Sequence, residues 1–130
     1  MSGKIFLDTN VIVYLYSEDE GDKRDTVFEF VNNNVCITST QTLNEASNVW
    51  LRKHGLNTAQ VSKYLDEIEA VCDDIVLIQK KTINKALQIK ARFGYSYYDC
   101  LILASALENG CDIVLTEDMQ DGQFVDTVKS

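Results

Sequence analysis

Residues 5–16 read IFLDTNVIVYLY, an apolar run that breaks at Asp8 and resumes after two more polar residues. Such a run reads as a buried strand, and Asp is depleted within strands, so Asp8 marks the strand's end. The strand spans Lys4 to Asp8, and a helix follows from about Asn10 through Tyr16. Working outward, short apolar runs at Val35 to Ile37, Ile75 to Ile78 and Ile113 to Leu115 read as the other strands.

Helices fill the intervals. One lies near Asp22 to Asn32 with Val27, Phe28 and Val31 inward. The segment Thr42 to His54 places Leu43, Ala46 and Trp50 on one face, and Gly55 stops it. Thr58 to Asp73 carries Val61, Tyr64, Leu65, Ile68, Val71 and Cys72 on one stripe, and a shorter helix carries Ile83, Leu87 and Ala91. Ser96 to Asn109 is apolar nearly all round, which predicts a buried helix ended by Gly110. Strands separated by helices imply a parallel sheet covered on both faces, a three-layer α/β/α sandwich.

The chain has 130 residues, 45% of them hydrophobic, enough for one globular core and too few for two, so residues 1–130 are expected to form a single domain. Proline is absent, glycines are scattered and no repeat or low-complexity segment marks a linker. No leader pattern or membrane-length apolar run occurs, which gives a cytoplasmic location and no membrane partner as the expectation. Cys36, Cys72, Cys100 and Cys111 lie far apart in apolar surroundings without CxxC spacing, and read as buried free thiols. A net charge of -8 argues against a protein that holds nucleic acid through a broad basic surface, so any such contact must be local. A cation site built from carboxylates adds to the same acidic total.

In a parallel sheet the unusually placed acids fall together. Asp8 ends the first strand at the sheet's carboxyl edge, where open α/β sheets bind ligands. Asp118, in LTEDMQDG, follows the Ile113 strand and emerges at the same edge. Glu45 lies early in the helix after the second strand. Asp99 lies in the first turn of the helix before the Ile113 strand, which must run antiparallel to it. Each acid also has an innocent explanation: Ser96 with Asp99 and Thr42 with Glu45 fit capping boxes, Asp8 fits a helix cap, and Asp118, Asp121 and Gly122 fit a turn. Four such coincidences at one edge are less economical than one site. Carboxylates gathered that closely repel unless a cation compensates them, and hard oxygen ligands suit Mg²⁺ or Mn²⁺. Such ions activate water and stabilise charge on a phosphoryl centre, which suggests phosphodiester hydrolysis.

The set LDTNV near the start, Asn44-Glu45, YYDCLILASALENG around Asp99 and VLTEDMQDG around Asp118 resembles a PIN domain, especially the VapC-like toxin branch, over almost the full length. The resemblance implies a flavodoxin-like sheet, metal-dependent ribonuclease activity on RNA, homodimerisation and, in the toxin branch, inhibition by a small antitoxin protein. Position by position, Asp8, Glu45, Asp99 and Asp118 match the family's acidic quartet, with Thr9, Asn10 and Thr116 as polar neighbours. Asp8 and Asp99 are implied as direct ligands; Glu45 and Asp118 ligate, act through waters or orient the attacking water. Thr116 fits the hydroxyl that anchors the last acid, and Asp121 is a further acid able to assist or replace Asp118. Asn44 is a candidate substrate contact beside Glu45.

Neither His54, at a helix end before Gly55, nor Cys100, without a partner base, reads as catalytic. For RNA, Arg52, Lys53, Arg92, Lys80 and Lys81 are candidate phosphate contacts, with solvated surface as the plainer reading. Tyr95, Tyr97 and Tyr98 are candidates to stack on an unpaired base or to pack at the helix start. Exposed apolar surface on the helices from Asp22 to Asn32 and Thr58 to Asp73 is a candidate interface. Two other readings stand beside the nuclease. One is a non-catalytic interaction module of the same fold. The other is a phosphatase, because the strand ending in D-x-N-V resembles the D-x-D start of haloacid dehalogenase-like enzymes, with Asn10 in place of their second Asp.

Overall fold

The computed structural model describes residues 3–16, 21–116 and 124–126. Five strands form one sheet: β1 (Lys4–Leu7), β2 (Val35–Ser39), β3 (Asp74–Val76), β4 (Ile113–Leu115) and β5 (Phe124–Asp126), in the order β3-β2-β1-β4-β5. The first four are mutually parallel, with Ile5 opposite Cys36 on one side and Ile113 on the other. β5 runs antiparallel to β4, pairing Val125 with Val114. This edge strand was not expected: it is three residues long and follows a stretch rich in turn formers.

The helices are α1 (Thr9–Leu15), α2 (Gly21–Asn32), α3 (Thr40–Arg52), α4 (Thr58–Val71), α5 (Lys80–Phe93) and α6 (Tyr97–Glu108). Strand side chains alternate between two cores, as the pleat dictates. Ile5, Leu7, Cys36 and Leu115 join Val11, Ile12, Leu15, Trp50, Val61 and Ile68 of α1, α3 and α4 on one face. Phe6, Ile37 and Val114 join Ala86, Ile89 and the buried side of α6 on the other. The three-layer arrangement follows, with the sheet central and helices on both faces.

Most predicted faces agree with the structure. In α4, Val61, Ile68 and the adjoining Cys72 are buried, and α6 buries every residue from Cys100 to Ala106. Gly110 follows that helix with a φ of 70°, a left-handed conformation that glycine adopts without strain. α5 differs: it buries Thr82, Ala86 and Ile89, and leaves Ile83, Leu87 and Ala91 exposed. The helical period is as expected, but its phase is rotated by one residue, about 100°. Close packing on α6 favours the small Thr82 and Ala86, and the Thr82 hydroxyl donates to Glu108 of α6 at 2.7 Å. Large apolar side chains are exposed at Val35 and Leu51 and, around α5 and the turn after it, at Leu77, Ile83, Leu87, Phe93, Tyr95 and Tyr98. Among the described side chains of α2 and α4, no large apolar residue is exposed, so the interface expected there is not where apolar surface lies. No helix among the described residues is long and apolar enough to cross a membrane.

Candidate functional site

Asp8 follows β1 where the strand order turns, with β2 on one side and β4 on the other. Its N–H donates to the Leu115 carbonyl at 3.0 Å, extending the ladder by one bond. On the opposite side the Thr38 hydroxyl donates to the Leu7 carbonyl at 3.0 Å. The backbone around Asp8 is therefore tied to both neighbouring strands. The half-buried carboxylate caps α1, accepting the Thr9 N–H at 2.6 Å. The capping explanation for Asp8 is thus real.

For Glu45 it is not. α3 starts earlier than the sequence suggests: Ser39 is its N-cap, the Ser39 hydroxyl accepts the Thr42 N–H at 3.2 Å, and the Thr42 hydroxyl accepts the Ser39 N–H at 3.1 Å. Thr42 therefore occupies the inner position of the capping box rather than its start, and Glu45 falls in the second turn, beyond the orphan amides. Burial pushes the Glu45 carboxyl above its ordinary value; a hydrogen bond from the Gln41 amide at 3.4 Å opposes this, and the negative charge of Asp99 adds to it. Glu45 thus feels the charge of Asp99, although the two lie on helices that flank opposite faces of the sheet. Asp99 lies in the first turn of α6, exposed, where its backbone N–H donates to the Ser96 cap at 3.3 Å.

A cluster of hydroxyls braces the same edge. Thr38, Ser39 and Thr42 are all buried; Thr42 donates to the Ser39 carbonyl at 2.6 Å and meets the Thr38 hydroxyl in a short contact. Through Thr38 this cluster joins the end of β1, next to Asp8, to the start of α3, which carries Glu45. Sequence reasoning missed it, although the run Thr38-Ser39-Thr40-Gln41-Thr42 directly after an apolar strand is the signal that would have found it.

The remaining candidates are dispersed. Thr9 is buried, and its hydroxyl has no hydrogen-bond partner among the described residues. Thr116 is half-buried and directly follows Leu115, the partner of the Asp8 N–H. Asn10 and Asn44 are exposed on α1 and α3. Asp118 and Asp121 lie outside the described residues. Among the described residues, no three His, Cys, Asp or Glu side chains stand close enough to hold a metal ion. Arg52 is exposed at the far end of α3, about 18 Å along the axis from Thr40. Arg92 lies in the last turn of α5, its guanidinium 5.1 Å from the centre of the Phe93 ring.

The tyrosines before Asp99 divide. Tyr97 is half-buried and packs on the core beneath α6, whereas Tyr98 is exposed with its ring tilted against Tyr97 at 5.6 Å. Phe93, not singled out from the sequence, stacks on Tyr95 at 5.6 Å with only 6° between the ring planes. Burial pushes the Cys100 thiol up, which removes it as a thiolate nucleophile, and the same cause lifts Cys36 and Cys72 to about 12 and Cys111 to about 11. All four are free and buried, as expected. His54 is exposed beyond α3.

Among solved structures, the chain is similar to VapC20 of Mycobacterium tuberculosis, described as a sarcin-ricin loop cleaving toxin, with 20% identity over 97% of this chain and 99% of that one and a TM-score of 0.71. It is also similar to PAE2754 of Pyrobaculum aerophilum, with 15% identity over 92% of this chain and 82% of that one and a TM-score of 0.61. No curated protein matches the sequence. The family model of the PIN domain matches residues 5–124. That span takes in Asp8, Glu45, Asp99 and all five strands but the first residue of β1 and the last two of β5, and it sets aside the phosphatase reading: the chain belongs to the PIN domain family.

Proposed function

We propose that this protein is a divalent-metal-dependent endoribonuclease that hydrolyses RNA phosphodiester bonds, acting as the toxin of a toxin–antitoxin pair. The observation that carries the reading is the carboxylate pair: Glu45 has no cap to serve, yet it is held half-buried within reach of the Asp99 charge. Such a pair is unfavourable by itself and becomes favourable beside a cation. The donors fit Mg²⁺ or Mn²⁺, because both are hard carboxylate oxygens and Mg²⁺ is commonly held by one or two carboxylates with waters completing its shell. Glu45 and Asp99 would hold the ion, with Asp8 at the adjoining strand end and Asp118 as the fourth acid. When bound, the ion supplies Lewis-acid stabilisation of phosphoryl charge and a more acidic water.

The chain's own residues do the rest. The Thr38 and Thr42 hydroxyls fix the Asp8 strand end against the Glu45 helix, so the acids approach substrate from a prepared geometry. Glu45 would hold the ion directly, act through its waters or orient the attacking water. No thiol or imidazole is required. RNA, a second copy of the chain and a small antitoxin are the partners this reading brings, within a cytoplasmic setting. The exposed apolar side chains Ile83 and Leu87 of α5 offer the protein partners a surface.

The test is incubation of a total RNA pool with the chain in Mg²⁺, Mn²⁺ or chelator, with cut ends mapped, beside Asp99→Asn purified identically. Discrete cuts that require metal and vanish in the variant are expected. A second reading is a non-catalytic module of the same fold. Identical RNA profiles for the two proteins, both folded, would select that module.

A further inference from the structure

We propose that Phe93, Tyr95 and Tyr98 form a stacking platform that binds unpaired RNA bases beside Asp99. The inference rests on the reading of this site as one that acts on RNA, and it names the form of RNA: single-stranded or looped.

Three observations carry it. First, all three rings are open to solvent, at 39%, 44% and 53% exposure, within six consecutive residues that end one position before Asp99. Exposed aromatic rings are costly in water, and here they are gathered rather than scattered. Second, the platform is built in advance. Gly94, with a φ of 75°, turns the chain so that Phe93 and Tyr95 meet as parallel rings 5.6 Å apart. The Tyr95 carbonyl accepts from both the Lys90 ammonium at 3.0 Å and the Cys100 thiol at 3.7 Å, which clamps the turn onto the helix bearing Asp99. Flat rings already held parallel lose little freedom when a further flat ring joins them.

Third, the charge is of the right sign. In a chain of net charge -8, Lys90 and Arg92 stand in this turn, Arg92 over the Phe93 ring. An unpaired strand offers both base faces and a phosphate backbone, matching aromatic rings interleaved with cations. A duplex covers its base faces by internal stacking and offers the platform nothing to stack on.

The experiment measures binding of a labelled, unstructured RNA oligonucleotide, and of the same strand annealed to its complement, by fluorescence anisotropy. Asp99→Asn serves as the parent so that binding is read without cutting, alone and combined with Tyr95→Ala or Tyr95→Phe. The single strand should bind more tightly than the duplex; Tyr95→Ala should weaken it about tenfold, and Tyr95→Phe, which keeps the ring, should restore it. Equal affinity for duplex, or no loss in Tyr95→Ala, overturns the platform, and cleavage by the native chain would then leave the nuclease reading standing. Binding through the platform without cleavage by the native chain overturns the nuclease reading instead. A change of oligomeric state in Tyr95→Ala without loss of RNA affinity makes the rings a protein interface and overturns the proposal.

Discussion

The starts of α3 and α6 each bring a carboxylate to the same edge, and they are built in opposite ways. At α3 the first turn is closed: Ser39 and Thr42 are buried, their hydroxyls bond one another's backbones, and Thr38 carries the network to β1. At α6 the first turn is open, with Ser96, Tyr98 and Asp99 exposed and aromatic rings in front of it. The difference separates two tasks. The start of the helix that carries Glu45 is held by buried hydroxyls, which fixes its position; Asp99 is presented at a surface that a large substrate can approach.

Thr42→Val should separate the two ends most sharply. It keeps shape but leaves the buried Ser39 N–H without the hydroxyl it donates to, at a cost of about 2 kcal/mol, visible as a lower midpoint in urea unfolding. A midpoint within error of the native chain would show that the network is not a brace.

Glu45→Gln has a smaller effect of opposite sign. The folded chain binds the Glu45 proton more tightly than the unfolded chain does, so ionising this group subtracts stability. That loss is absent below the ordinary carboxylate pKa, grows as pH rises through the raised value and is complete above it. The metal-free variant should therefore melt higher than the native chain near pH 7, with the gain gone by about pH 4. A gain that persists unchanged into acid would assign the effect to something other than charge.

At the open end, Tyr98→Ala should change stability by less than about 0.5 kcal/mol in the same urea measurement, because little packing is lost from an exposed ring. A loss as large as that of Thr42→Val would mean that the rings serve the fold, and the contrast between the two ends would collapse.

The sequence made much of this legible. Asp8 could be placed because an acid breaking an apolar run has to end the strand, and the helices containing Glu45 and Asp99 could be placed because parallel connectivity fixes which end meets that edge. The first turn of α3 was misplaced because Ser39 belongs at once to an apolar strand and to a capping box, and periodicity cannot say which begins first. The α5 face was misjudged for a related reason. Ile83-Leu87-Ala91 and Thr82-Ala86-Ile89 are both helical stripes, and only the closeness of α6 selects the smaller one.

By itself, then, the sequence determined the alternation of strands and helices, the parallel sheet and the edge to which the described acids belong, since these follow from local periodicity and from chain connectivity. Tertiary structure alone decided that β5 closes the sheet, that Glu45 feels the charge of Asp99, that three hydroxyls lock β1 to α3, and that Phe93 lies flat on Tyr95. Those are relations set by distance and orientation in space, and residue order carries no signal for them until the layers have packed.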